Sequence, residues 1–543
     1  MQAAADMILQ GGPILTVDRD MSVAEAMAVR DGRVLAVGKA ADILALRGPQ
    51  TEMVDLAGRV ALPGFIEPHG HPMLTAFARG EPTVDISAIN GIDTFDAVRA
   101  IIRRRVAKAK PGEFLLFFGL DTALCQGMHE PGLDELDALA PDNPIAVQTA
   151  NFHTMFLNRA ALEHFGITAD TKDPPGGHIR RLPDGTPSGK LEEKANILVL
   201  VPYAAALGES RAVKVFEEWL WKFSNAGYTT TSEQGALPYY IPFFDNHVLG
   251  GRGPVRVRLY HAMNPGMVVG APLDHGDDYF SVIGCKLIAD GSPFVGNIWT
   301  SRPYLNTDVT LKGMGLEPDH IGHLNWKPEE IVDLVDRYAA EGWQVSVHVQ
   351  GDLTFDVVLD AFEAAIKKHG LKDHRFRLEH CALMQPRHIE RAMQLGVTCS
   401  FFLSHLYYWG EVLRDSMFGP ERAAGYMPIG DAYRAGMCTS VHCDPPMTEP
   451  DPIRCLSLAA TRRSRKGEAI GPEQAIPVSE ALRAITINAA WQLKMEDRIG
   501  SLEPGKLADI TLLDRNPLEI VPEELIDLKV LGTWVAGKQV WQA

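Results

Sequence analysis

No run of apolar residues in this sequence is long enough to span a bilayer. Positive charge is also in short supply. Lys and Arg total 52 against 69 Asp and Glu, a net charge of −17. Nucleic acid and anionic membrane both require a basic face, so neither is expected as a main partner. The seven cysteines (Cys125, Cys285, Cys381, Cys399, Cys438, Cys443 and Cys455) are scattered, odd in number and lack C-x-x-C spacing. That gives no sign of a disulfide framework or a zinc finger and suits a reducing compartment. Met1-Gln2-Ala3-Ala4-Ala5-Asp6 has neither a basic n-region nor an apolar core, so no signal peptide is expected. These absences leave a soluble, cytoplasmic protein acting on a small molecule, with a homodimer as one assembly open to it.

What is present is a long, ordinary globular chain. Its 543 residues, 46% of them hydrophobic, suffice for a closed barrel with additions. Residues 7 to about 60 read as strand-turn-strand, in Met7–Gly12, Ile14–Val17 and Val34–Gly38. Ala508–Leu513 and Val530–Lys538 repeat that character at the other end. Segments 1–60 and 496–543 are therefore expected to form one small β-sandwich built from both termini. Between them, over 61–495, apolar strands alternate with helical periodicity, the mark of an α/β fold. Strands are expected at Tyr228–Glu233, Val255–His261, Gly284–Gly291, Trp343–His348, Phe376–His380, Val397–Leu403 and Cys438–Asp444. With the strand before His69 these make eight, the number that closes a (β/α)8 TIM barrel. Residues 75–226 are too many for one barrel loop and contain their own strands and helices, so an inserted subdomain is expected after the first strand.

The chain is organised around Leu62-Pro63-Gly64-Phe65-Ile66-Glu67-Pro68-His69-Gly70-His71-Pro72. In an extended chain His69 and His71 share a face, because alternate side chains point the same way. A lone H-x-H is a weak metal signal; later strand ends strengthen it. Lys286 lies on the fourth expected strand, and His348, His380 and Asp444 end the fifth, sixth and eighth. Barrel enzymes carry their chemistry at that end. Imidazole and carboxylate are ligands that zinc accepts, and a catalytic ion keeps one position open for water. An ammonium repels a cation, so Lys286 is either a carbamate ligand or the partner of Asp290 on its own strand face. By residue type the two readings are even.

Read in order, L-P-G-F-I-E-P-H-G-H, the Lys286 strand running into D-G-S, H-V-Q-G-D, R-L-E-H and the last-strand aspartate resemble the amidohydrolase superfamily. G-W-Q-V-S-V-H-V-Q-G-D, N-F-H-T-M-F-L-N-R-A-A-L and C-K-L-I-A-D-G-S-P-F-V-G-N-I-W-T resemble its amidohydrolase-3 branch, and within it the N-substituted formamide deformylases. The resemblance implies that His69, His71 and Asp444 bind one metal and His348 and His380 a second. Lys286, carboxylated by CO2, would bridge the two. Zn2+ is the default, one or two ions, with other divalent metals open. Asp444 would accept a proton from a metal-activated water and pass it to the departing nitrogen, and His153 would face the substrate. The expected activity is hydrolysis of a non-peptide C–N bond, that of an N-substituted formamide or related amide. Carbamate, ester or cyclic amide hydrolysis on the same site, or a metal-holding protein without catalysis, are the alternatives.

The last strand departs from the branch pattern: it reads V-H-C-D-P-P, with His442 and Cys443 where a small residue and serine are usual. Adjacent strand residues face opposite ways, so these two do not form a nucleophilic dyad. His442, Glu233 and Trp409 are candidate substrate-binding residues. Phe401, Phe402, Tyr407 and Tyr408 flank Trp409 and could share an apolar pocket with it. His261 is expected as a supporting or salt-bridged group at the rim, and Glu192 and Glu193 as a solvated turn, with reach into the site from the insert as the alternative.

Overall fold

The computed structural model describes residues 4–264 and 275–543. Met1, Gln2 and Ala3 of the N-terminal stretch lie outside them. The centre of the molecule is a parallel sheet of eight strands: β1 (Phe65–Glu67), β2 (Tyr228–Ala236), β3 (Arg256–Ala262), β4 (Phe280–Ile288), β5 (Gln344–Val349), β6 (Arg377–His380), β7 (Thr398–Phe401) and β8 (Thr439–Val441). Each pairs with the next in chain order. This is the nearly closed barrel that the alternation of apolar runs and helical patterns predicts. Intervening helices such as α1 (Pro328–Ala340) and α2 (Asp352–His369) bury one apolar stripe each. Val345, Val347 and Val349 of β5 are fully buried in the main apolar core.

Among the described residues no ladder pairs β8 with β1, and side chains close that seam instead. Glu67, fully buried, accepts hydrogen bonds from Cys443 N (3.0 Å), Tyr228 Oη (3.0 Å) and His69 N (3.3 Å). The backbone completes the closure through His71 N to Pro445 O (2.8 Å) and Ile66 N to Ile485 O (2.9 Å). Burial pushes the Glu67 carboxyl well above its usual range, and the nearby Cys443 adds to the shift.

The strands expected at both termini share one sheet. Ile510–Leu513 runs antiparallel to Val60–Pro63, which touches Ala5–Leu15 at Ile14 and Ala61. Val60–Pro63 thus belongs to this sheet, and the single strand expected to run on into the histidines is broken in two at Gly64. A Cβ there would lie 2.2 Å from Thr229 Oγ1, so only glycine fits the crossing.

Between β1 and β2 a separate six-stranded sheet comprises Val84–Asp85, Leu115–Leu120, Ile145–Thr149, Thr154–Leu157, Gly177–Arg181 and Pro187–Glu193. Leu115 and Phe117 face one apolar cluster while Leu116 faces another, as strand alternation requires of a sheet covered on both sides. No helix among the described residues is long and apolar enough to cross a membrane.

Candidate metal centre

The two founding histidines do not converge by strand alternation. Proline cannot continue a ladder, and β1 stops at Glu67, one residue before Pro68. His69 then lies in a turn and His71 caps the helix Pro72–Ala78. Their rings still meet edge to face with centroids 5.4 Å apart. Their inner face is shared by Asp444, whose Oδ1 is 3.2 Å from His71 Nε2 and 3.8 Å from His69 Nε2. That oxygen is buried and has no hydrogen-bond partner among the described residues. Strand β8 ends at Val441, and Asp444 reaches the centre from the following turn in a left-handed conformation (φ 54°). His380 (φ 70°), at the end of β6, is held likewise. Non-glycine residues in this region cost about 1–3 kcal/mol each and collect at functional sites.

His380 Nδ1 lies 3.9 Å from Asp444 Oδ2 and 3.1 Å from His442 Nε2. Donor atoms of His69, His71 and Asp444 all fall within 4.8 Å of one another, and so do those of His69, His380 and His442. Lys286 Nζ reaches His69 Nε2 at 3.1 Å. The alternative pairing with Asp290 does not form: Asp290 accepts from Gln350 N (3.0 Å) and Gly351 N (2.8 Å). Burial pushes the Lys286 ammonium down to about 8, and burial first of all keeps His69, His348, His380 and His442 well below the ordinary imidazole range. Neutral imidazole is the form that can bind a metal.

Orientation is set from behind. His69 Nδ1 donates to Glu379 Oε2 (2.6 Å), which leaves Nε2 with a lone pair facing inward. Glu379 is fully buried and paired with Arg377, itself bonded to Tyr260 Oη and Pro68 O. Sequence reasoning missed Glu379. Its only signal was a carboxylate one residue before a strand-end histidine, in R-L-E-H.

His348, expected beside His380, has its ring 4.3 Å from that of His380, but its Nε2 donates to Gly291 O (2.9 Å) and it joins neither donor group. On its other side is His153, ring centroids 5.1 Å apart. His153 Nδ1 donates to Glu193 Oε2 (2.7 Å). Burial opposes charge on His153, yet the Glu193 carboxylate, supported by Asp290 and Asp444, outweighs it and holds the imidazole above its ordinary range. Glu192 and Glu193 are therefore buried, not a solvated turn, and Glu193 takes a strained backbone (φ 54°, ψ −130°) to reach His153. The reach follows from pairing within the insert sheet, where Thr154 lies opposite Glu192.

A cavity opens onto Asp444, His380, His348 and His153. Its other walls are mainly apolar, with Leu120, Phe294, Val295, Phe402, Trp409 and Met447. Trp409 stacks on Phe294 (4.7 Å) and donates Nε1–H to Asp121 (2.7 Å), which also caps Ala123 N and Leu124 N. No Lys or Arg is among the lining residues. Of the three candidate substrate contacts, Trp409 lines the cavity. Glu233 does not, because its carboxylate is taken by Met73 N (2.6 Å), and His442 lies deeper, among the donors. Tyr407 and Tyr408 turn toward Arg454. His261 packs on Tyr338 and Trp343, outside the barrel lumen. Cys443 faces Cys455 (3.3 Å) and Tyr228, away from His442.

Comparison with known proteins bears on the family and the fold. The chain is 28% identical to the N-substituted formamide deformylase of Arthrobacter pascens, over 99% of this chain and 98% of the relative. It is 27% identical to Protein LONG AFTER FAR-RED 3 of Arabidopsis thaliana, over 99% and 92%. A crystal structure of an uncharacterized metal-dependent hydrolase from Pyrococcus horikoshii OT3 shares the fold, with a TM-score of 0.70 at 23% identity and coverage of 95% and 99%. The family model Amidohydro_3, "Amidohydrolase family", matches residues 52–541, and the chain belongs to that family of metal-dependent hydrolases.

Proposed function

We propose that the protein hydrolyses the C–N bond of a neutral N-substituted formamide or closely related amide. The observation that carries this reading is the buried, unpartnered Asp444 Oδ1 set among imidazole nitrogens, where an apolar cavity begins. A buried carboxylate oxygen without a hydrogen bond, set against the ring nitrogens of His69 and His71, is costly unless a cation sits there, so the donor set fits a divalent ion. His69, His71, His380 and Asp444 would hold it, with His348 and a carboxylated Lys286 joining if a second ion binds. Burial favours the neutral Lys286 amine, the form that adds to CO2 with loss of one proton. The donor types make zinc the default. When bound, such an ion lowers the pKa of a coordinated water from 15.7 to about 7.

The protein's own groups supply the rest. Asp444 takes the proton of the attacking water at its free oxygen and gives it to the amide nitrogen, which cannot leave as an anion. His153, held by Glu193, presents its other ring nitrogen to the carbonyl oxygen. A preorganised donor there is worth roughly 3 kcal/mol as negative charge develops. The apolar wall from Phe294 to Trp409 accepts the N-substituent. Among the described residues no Lys or Arg lines the cavity to pair with the carboxylate of an N-acyl amino acid.

The test is release of formate and amine from N-benzylformamide, abolished by a chelator and restored by Zn2+. N-formyl amino acids should turn over far more slowly. Metal uptake without hydrolysis of any amide would refute the proposal and leave a metal-holding protein.

A further inference from the structure

The resemblance gives the place beside His380 to His348, and the geometry points to His442 instead. We infer that His442 is a direct ligand of the ion held by His69 and His380, an assignment that rests on the metal-hydrolase reading above. His442 is fully buried between two rings, stacked on His69 (4.7 Å, 18°) and on Phe402 (5.3 Å, 19°). That sandwich fixes its plane. Its Nδ1 is tied to Ser400 Oγ at 2.7 Å, so its Nε2 is the atom left to face inward. A ligating histidine has this arrangement, with one nitrogen anchored outside and the other turned to the ion.

The inward Nε2 is 3.1 Å from His380 Nδ1. Two neighbouring ligands of one ion, with bonds of about 2.0–2.1 Å and an angle near the tetrahedral value between them, stand roughly 3.3–3.4 Å apart, close to that separation. The donor atoms of His69, His380 and His442 also lie within 4.8 Å of one another, while His348 joins no such group and its Nε2 is bonded to a backbone carbonyl. A hydrogen bond between two neutral rings would explain the contact between His442 and His380. It would not explain why His69, whose outer nitrogen is anchored to Glu379, also brings a donor atom within 4.8 Å of those of both rings.

Metal affinity separates a ligand from a supporting residue. Losing an outer partner costs about 10–100-fold in affinity, so losing a ligand should exceed that range. The full-length protein, His442→Gln and His348→Gln are stripped and titrated with Zn2+ against a competing chelator. The same three proteins are loaded with Co2+ and their visible absorption recorded. Circular dichroism of the stripped proteins checks that each is folded, and His442→Asn or His348→Asn replaces the glutamine variant at its own position if that one is not. The assignment predicts a loss above about 100-fold and altered Co2+ bands for His442→Gln, with His348→Gln within about 10-fold of the parent. A smaller loss with unchanged bands makes His442 an outer partner and overturns it, as does the larger loss falling on His348→Gln. A parent that takes up no divalent ion would instead defeat the hydrolase reading itself.

Discussion

Glu379 touches no substrate, yet it decides which nitrogen His69 offers. Replacing it by glutamine keeps size and hydrogen bonding but removes the charge that fixes the imidazole. Zn2+ affinity is expected to fall about 10–100-fold with the fold intact, measured by chelator competition and circular dichroism. Glu193 plays the same part for His153, and here the sign with pH can be worked out. The carboxylate raises the His153 pKa, so the protonated donor persists to higher pH and activity falls as pH rises through that value. Glu193→Gln removes the largest raising influence and leaves burial opposed only by Asp290 and Asp444, so the pKa falls. The alkaline limb of kcat/KM should move to lower pH, with kcat affected more than KM. An unshifted limb would mean that Glu193 only packs. For Asp444→Asn, steady-state kinetics should show kcat down by about 10²–10⁴-fold, the usual worth of a positioned proton carrier.

At the scale of elements, the first barrel strand is only three residues long and depends on its side chains to meet the last. Glu67 is the bracket. Glu67→Ala would strand Cys443 N, the Tyr228 hydroxyl and His69 N in a dry interior, at about 1–3 kcal/mol for each group left unpaired. Denaturant unfolding should show a large loss of stability together with weaker metal retention, because the same bracket positions His69 and the Cys443–Asp444 turn. Unchanged unfolding would place the closure elsewhere, in the backbone bond from Ile66 to Ile485.

At the scale of the molecule, the barrel was legible because each of its strands is a short apolar run between turn signals. His69, His71, Lys286, His380 and Asp444 were legible as polar residues at the ends of such runs. Three kinds of information were not. Proline at 68 stops the strand before the histidines, so the two rings meet through a turn and a helix cap that strand counting cannot anticipate. Glu67, Glu193 and Glu379 look like any glutamate in sequence, and only the partners that the fold brings from far along the chain show what they hold. That His442, and not His348, falls within a donor group depends on which ring nitrogen finds an outside anchor, a fact of three dimensions. Cavity character stands between these cases: Phe402 and Trp409 were visible as an aromatic cluster, but their separation from Tyr407 and Tyr408 was not.

The central claim is that side chains distant in sequence surround a metal at the open end of the barrel, and anomalous diffraction from crystals loaded with Zn2+ tests it most directly. The account predicts a strong peak about 2.0–2.2 Å from His69 Nε2, His71 Nε2 and an Asp444 carboxylate oxygen. A fully loaded protein whose anomalous peaks all lie away from these three residues would contradict it.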